Sequence, residues 1–162
     1  MQNKVVATLQ RVARDHELST LRFNFRGVGH SAGSHDQGRG EIDDAAAAAR
    51  WLMDRHPGQP LTIMGFSFGS CVAACLAGRL EAEGLELAAL FMVAPPVALR
   101  DPLFLSALQR TATAIRLQRF LDTFEIKTDE SAESIHGNLA LAVGAADGLH
   151  ADLKFQGEFI DR

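Results

Sequence analysis

Cysteine is scarce, with only Cys71 and Cys75 in 162 residues. They stand four apart on what reads as a helix, so they share a face. Two such ligands without a neighbouring His or acid pair make a poor zinc site. Two small buried residues where a helix packs on a sheet is the better reading. No basic tract is present and the net charge is −4. That excludes the electrostatic footprint of a nucleic-acid binder. No apolar run is long enough to span a membrane. The longest, residues 87–97, is interrupted by Pro95-Pro96. The first residues, Met1 to Val6, lack the apolar core of a signal peptide, so a cytoplasmic protein without a membrane partner is expected. Hydrophobic residues, by contrast, make up 47% of the chain. At this length they suffice for one domain, residues 1–162, with a substantial core.

The hydrophobic pattern alternates between two periods. Val5, Leu9, Val12 and Ala13 fall on one face of a helix over residues 3–16. Leu21–Phe25 alternates apolar and polar and reads as a strand. Residues 27–40 hold Gly27, Gly29, Gly33, Gly38 and Gly40 and read as a loop. An alanine-rich helix follows from about Glu41, with acids at its start and Arg50, Arg55 and His56 at its end, as the helix dipole favours. Pro57-Gly58 stops it. Leu61–Met64 is a strand, Ser70–Glu83 a helix, and Leu87–Ala94 a wholly apolar strand. Asp101-Pro102 caps a further helix to about Asp122, and Leu139–Val143 is the weakest strand former. Such alternation predicts an α/β fold with a mainly parallel sheet, helices on both faces, and Leu61–Met64 between the other two main strands. Ligands of such folds lie at the carboxyl ends of the strands.

The most informative segment is Gly65-Phe66-Ser67-Phe68-Gly69, which reads G-x-S-x-G between a strand and a helix. This is the setting of a nucleophile elbow. A tight turn presents the serine hydroxyl, and the N–H of the next residue, Phe68, is placed to stabilise an oxyanion. The plainer alternative is a glycine-rich turn with an incidental serine. A nucleotide-binding role for the loop at 27–40 fails on spacing, which is one residue too long for G-x-G-x-x-G. It also fails on charge, because the next helix opens with three acids that would repel a phosphate. A mobile loop beside the serine, tied down by hydrogen bonds from Arg26 and Asp36, is expected instead.

With those residues in view, the chain resembles the α/β-hydrolase superfamily, near its small bacterial dienelactone-hydrolase-like members. The likeness is carried by Asn3–Val6, by Leu21 through Asp44, and by Gly65–Gly69 with Ala94-Pro95-Pro96 after the next strand. The resemblance implies that Ser67 is the nucleophile, that the Phe68 N–H is an oxyanion donor, and that Asp147 holds the place of the triad acid. Asp147 in Ala-Asp-Gly is also ordinary turn chemistry. The family carries strands ahead of the segment resembling Asn3–Val6 and a histidine after the acid. Here the likeness begins at residue 3, and His150 follows Asp147 too closely to occupy a separate loop. The expected fold is therefore a truncated version of the family's.

His30 and His35 lie at the correct end of the sheet but ahead of the serine, and reach it only by an unusual excursion of the glycine loop. His136 is expected at the opposite end, and His16 and His56 at helix ends in solvent. Without a base, serine is a weak nucleophile. The leading function is a serine hydrolase of small esters or related acyl compounds, working without metal or organic cofactor and weakly active on activated esters. The alternative is a non-catalytic remnant acting as a binding or interaction protein. Open sheet edges permit pairing with other chains, including a homo-oligomer. The apolar face of Leu105, Leu108, Ala112 and Ile115 is a candidate for that contact or for ordinary core.

Overall fold

The computed structural model describes residues 3–96 and 139–143. The first helix, α1, spans Lys4–Asp15. Asn3 caps it, its side-chain oxygen accepting from the Val6 N–H at 3.2 Å. Val6, Leu9, Val12 and Ala13 are buried along one stripe. Strand β1 spans Ser19–Phe23, two residues earlier than the alternation predicts. Phe23 is its last residue, and Phe25 turns into the core, with 2% exposure.

Helix α2 spans Arg39–Arg55 and begins before the predicted Glu41. Gly38 supplies the cap with φ 99°, a conformation that favours glycine. Strand β2 spans Leu61–Phe66, helix α3 Phe68–Ala82, and strand β3 Leu87–Val93. Strand β4 spans Leu139–Val143. The segment expected to be a helix over 101–122 lies outside the described residues.

The sheet order is β1-β4-β2-β3. Strands β2 and β3 are parallel, and β4 runs antiparallel to both β1 and β2. Strands β1, β2 and β3 thus share one direction, and β2 lies between the other two as expected. Two differences stand: the sheet is mixed rather than mainly parallel, with β4 antiparallel to both its neighbours, and β1 and β2 are not paired. The crossover through α2 leaves one slot open, and Leu139–Val143 fills it. That segment is apolar on both faces and at most 2% exposed, which suits a central strand.

Helices α2 and α3 pack on each other and against the sheet, and α1 packs on β1, β4 and β2. The core lies between these layers, with Ile63, Met64, Leu76, Leu80 and Leu141 fully buried. No helix among the described residues is long and apolar enough to cross a membrane.

Candidate active site

Between the last residue of β2 and the first of α3 stands a single residue, Ser67. Its backbone adopts φ 51°, ψ −122°, a sparsely populated conformation for a non-glycine residue. The turn is fixed from both sides. The Ser67 N–H donates to the Val93 carbonyl at 2.9 Å, tying the turn to the end of β3, and the Ser67 carbonyl accepts from the Ser70 N–H at 2.8 Å. A Cβ on Gly65 would collide with the backbone of Gly69 and Ser70, so glycine is required where the helix passes the strand.

Ser70 supplies what sequence reasoning missed. It is fully buried, and its hydroxyl lies 2.9 Å from the Gly65 carbonyl and 3.0 Å from the Val93 carbonyl. One buried side chain thus joins β2, α3 and β3 beneath the turn. The signal available was a hydroxyl in the first turn of a helix that is apolar from Val72 to Gly78.

The Ser67 side chain does not cap α3, so its hydroxyl is not committed to the helix. Phe68 is the first helical residue, and a first-turn N–H has no acceptor within its own helix. The positive end of the helix dipole adds to its attraction for an anion. Serine hydroxyl and donor therefore stand side by side at the carboxyl end of β2.

The loop of residues 24–38 packs beside this turn. Side-chain contacts tie it to the start of α2. The Arg26 guanidinium makes a two-pronged contact with Asp44, Nε to Oδ2 and Nη2 to Oδ1, both at 2.8 Å. That hydrogen-bonded pair raises the Arg26 pKa and holds the Asp44 carboxyl below its ordinary range. The guanidinium lies over Gly40, where a Cβ would strike it. Asp36 accepts from the Gly40 N–H at 3.1 Å. Both residues expected to anchor the loop do so, each through a different partner.

Sequence patterning marks Glu41 as a favourable charge at a helix start and as one of three acids unfavourable to a phosphate. It is fully buried, and its carboxylate accepts from the N–H groups of Asp36 at 2.9 Å and Gly38 at 2.8 Å. His35 Nδ1 lies 2.8 Å from the same carboxylate. Burial alone would push Glu41 upward; the backbone donors, aided by His35, outweigh it and hold the carboxyl below its ordinary value. A carboxylate thus sits in the start of α2 and its preceding turn, where a phosphate would have to bind.

The His35 ring meets the Phe68 ring edge-on at 5.3 Å between centroids, and Phe68 in turn meets Phe25 at 5.8 Å. The glycine loop thus lays His35 against Phe68, the residue after Ser67. His16 and His56 follow the C-termini of α1 and α2, at the opposite end of the sheet, and each is half-buried rather than solvated. His30 is exposed in the loop.

Asp147, His150 and His136 lie outside the described residues. Leu139 pairs with Gly65 and Val143 with Leu61, so β4 begins at the Ser67 end of the sheet and finishes at the far end. Cys71 is buried and Cys75 half-buried on α3. Among the described residues, no group of three or more His, Cys, Asp or Glu side chains is placed to hold a metal ion.

Comparison with known proteins agrees with the fold. A family model described as alpha/beta hydrolase fold matches residues 5–142. An uncharacterized protein, RP471 of Rickettsia prowazekii (strain Madrid E), is 42% identical over 98 residues, which cover 60% of this chain and 40% of that protein. A protein of Danio rerio named lysophosphatidylserine lipase ABHD12 is 37% identical over 93 residues, covering 57% of this chain and 24% of its own length. The matched region is thus less than half the length of either relative. No solved structure matches the chain.

Proposed function

The chain belongs to the alpha/beta hydrolase fold family, and we propose that it is a serine hydrolase acting on a small ester or related acyl compound. Ser67 Oγ attacks the carbonyl carbon, forming the Oγ–C bond while the carbonyl electrons move onto oxygen. The Phe68 N–H holds that oxyanion. Collapse expels the leaving group and leaves an acyl-enzyme, which water hydrolyses to free acid and serine. No metal or organic cofactor enters this scheme.

The observation that carries the reading is the conformation of Ser67. An unfavourable backbone, held by Val93, Ser70 and Gly65, presents a hydroxyl that the helix does not use. Strain of this kind persists where the surroundings enforce it and clusters at functional sites. One relative bears the name of a lysophosphatidylserine lipase, which favours a carboxylic ester as the substrate class. The finer placement near dienelactone-hydrolase-like proteins belongs to the same proposal and rests on the segment from Leu21 to Asp44. Asp147 is proposed as the acid from its order in the chain. Loss of its carboxylate is expected to cost less than loss of the nucleophile, since an acid acts only through the base it orients.

The test is labelling by a fluorophosphonate probe together with hydrolysis of p-nitrophenyl acetate. The parent is expected to react, Ser67→Ala to lose both signals, and Asp147→Asn to retain part of them. A folded parent that does not label, or a Ser67→Ala variant that labels as the parent does, would overturn the reading and favour a binding protein built on the hydrolase fold.

A further inference from the structure

The Phe68 N–H stabilises an oxyanion only as well as it is aimed, and Phe68 is gripped by its side chain as well as by its backbone. We infer that His35 is a positioning residue for this donor: its ring, tethered to the buried Glu41, fixes the ring of Phe68 and so the start of α3 beside Ser67. The inference rests on the nucleophile reading above and adds to it the contact that aims the donor.

Four rings in a row carry it. Phe23 meets Phe25 at 5.6 Å between centroids, Phe25 meets Phe68 at 5.8 Å, and Phe68 meets His35 at 5.3 Å. Every contact is edge-on, an arrangement that aromatic quadrupoles favour. The row starts at the last residue of β1, crosses to the first residue of α3 and ends in the loop. Phe68 is thus held by one ring next to the strand and one from the loop.

The two ends are secured differently. Phe25 is locked by the core, with 2% exposure. The His35 side chain is 43% exposed, so packing covers little more than half of it. Glu41 supplies the rest. Its carboxylate is fully buried, accepts from the Asp36 and Gly38 N–H groups, and lies 2.8 Å from His35 Nδ1. Closing the loop onto α2 needs only those two backbone donors; the third contact sets a ring against Phe68. The loop backbone runs close by as well, since a Cβ on Gly38 would stand 4.0 Å from the Phe68 ring.

The row holds the site in a direction that nothing else described for the turn covers. The sheet order places β3 and β1 on opposite sides of β2. Hydrogen bonds from the Ser67 N–H and the Ser70 hydroxyl to the Val93 carbonyl hold the turn towards β3. The rings hold its first helical residue towards β1. An oxyanion donor works over a narrow range, about 2.7–3.1 Å from the developing charge. Misplacement of a catalytic group by about 1 Å costs up to about 10²-fold in rate.

The experiment measures fluorophosphonate labelling against probe concentration, which separates the reaction rate, kinact, from binding, KI. The variants are His35→Leu, which keeps bulk without a ring, His35→Phe, which keeps the ring without the tether, Phe68→Leu, and His35→Leu combined with Phe68→Leu. Thermal unfolding checks that each is folded. His35→Leu is expected to lower kinact about tenfold with KI unchanged, well short of the roughly 10²–10³-fold loss when a donor is removed outright. His35→Phe is expected to recover most of that rate, a rescue that proton transfer at position 35 would not give. In the Phe68→Leu background, His35→Leu is expected to change kinact little, because both act through one contact. Should a Phe68 variant fail to fold, His35→Leu against His35→Phe decides alone, and His35→Ala replaces His35→Leu should that one fail. Parental kinact in folded His35→Leu, a loss confined to KI, an equal loss in His35→Phe, or full additivity in the double variant overturns the inference. A parent that labels beside an unaltered His35→Leu leaves the nucleophile reading standing and removes this one; a folded parent that does not label removes both.

Discussion

The turn after β2 and the loop after β1 each carry the chain from a strand end into a helix at the same end of the sheet. The first uses Ser67 alone; the second uses residues 24–38. The short turn is held by shape. Gly65 leaves room for Gly69, the Ser67 N–H binds the end of β3, and a buried hydroxyl closes the gap beneath. The long loop is held by charge. Arg26 clasps Asp44, and Glu41 gathers two backbone donors and a histidine. A turn held by sterics responds to volume and hardly to pH. A loop held by carboxylates responds to both protonation and loss of an acceptor.

The largest expected effect is on the short turn. Gly65→Ala forces a methyl group into the Gly69 backbone and is expected to cost about 3 kcal/mol of stability, read as a lower urea midpoint. A variant as stable as the parent would show that the approach of α3 to β2 is looser than the geometry states.

Next is Glu41→Gln, which leaves the Asp36 and Gly38 donors to compete for one neutral oxygen. It is expected to cost about 2 kcal/mol, the scale of a hydrogen bond to a charged group. The loss should appear in hydrogen exchange as faster opening of residues 35–41 with residues 65–72 unchanged. Equal loosening of both regions would erase the distinction between them.

Acid sharpens the same contrast. Glu41 and Asp44 are both held below their ordinary values. Their contribution is therefore fully present above about pH 4, near the unfolded carboxylate values, and is lost as pH falls through the lower folded ones. Exchange protection in the loop should decline over that acid range before protection in the turn does, and Glu41→Gln should flatten the decline. Simultaneous loss in both regions would count against the contrast.

The smallest effect is expected at the exposed contact of Arg50 with Glu83, which links α2 to the end of α3 through contacts at 2.8 and 3.0 Å. Exposed ion pairs contribute little. Arg50→Ala should leave the urea midpoint within error, and a shift as large as that of Glu41→Gln would mean surface charge matters here as much as buried charge.

Much of this architecture was legible because the signals were local. The G-x-S-x-G run announced the turn at Ser67, and apolar spacing placed α1, β2, α3 and β3 to within a few residues. Three features were not legible, for definite reasons. Period-2 patterning carries no direction, so the sequence of Leu139–Val143 does not say that β4 runs against its neighbours. The end of β1 at Phe23 comes with the turn of Phe25 into the core, which the alternation at Leu21–Phe25 does not show. The meeting of His35, Glu41 and Phe68 depends on a loop whose path is fixed by positive-φ residues and side-chain acceptors, beyond the reach of any periodicity. Glu41 did leave a trace, three residues after the Gly38 cap, where a carboxylate reaches back to the cap N–H.

The position of β4 also sets an order of events during synthesis. Strands β2 and β3 and the helix between them are adjacent in the chain and able to pair as soon as they emerge. Strand β1 leaves the ribosome earlier, yet the sheet partner shown for it is β4, which arrives more than a hundred residues later. Until then β1 carries unpaired backbone groups beside a slot in the sheet, open to strands of other chains. Among the described strands, the last made is thus the one that joins β1 to β2, and the first made waits longest for its partner.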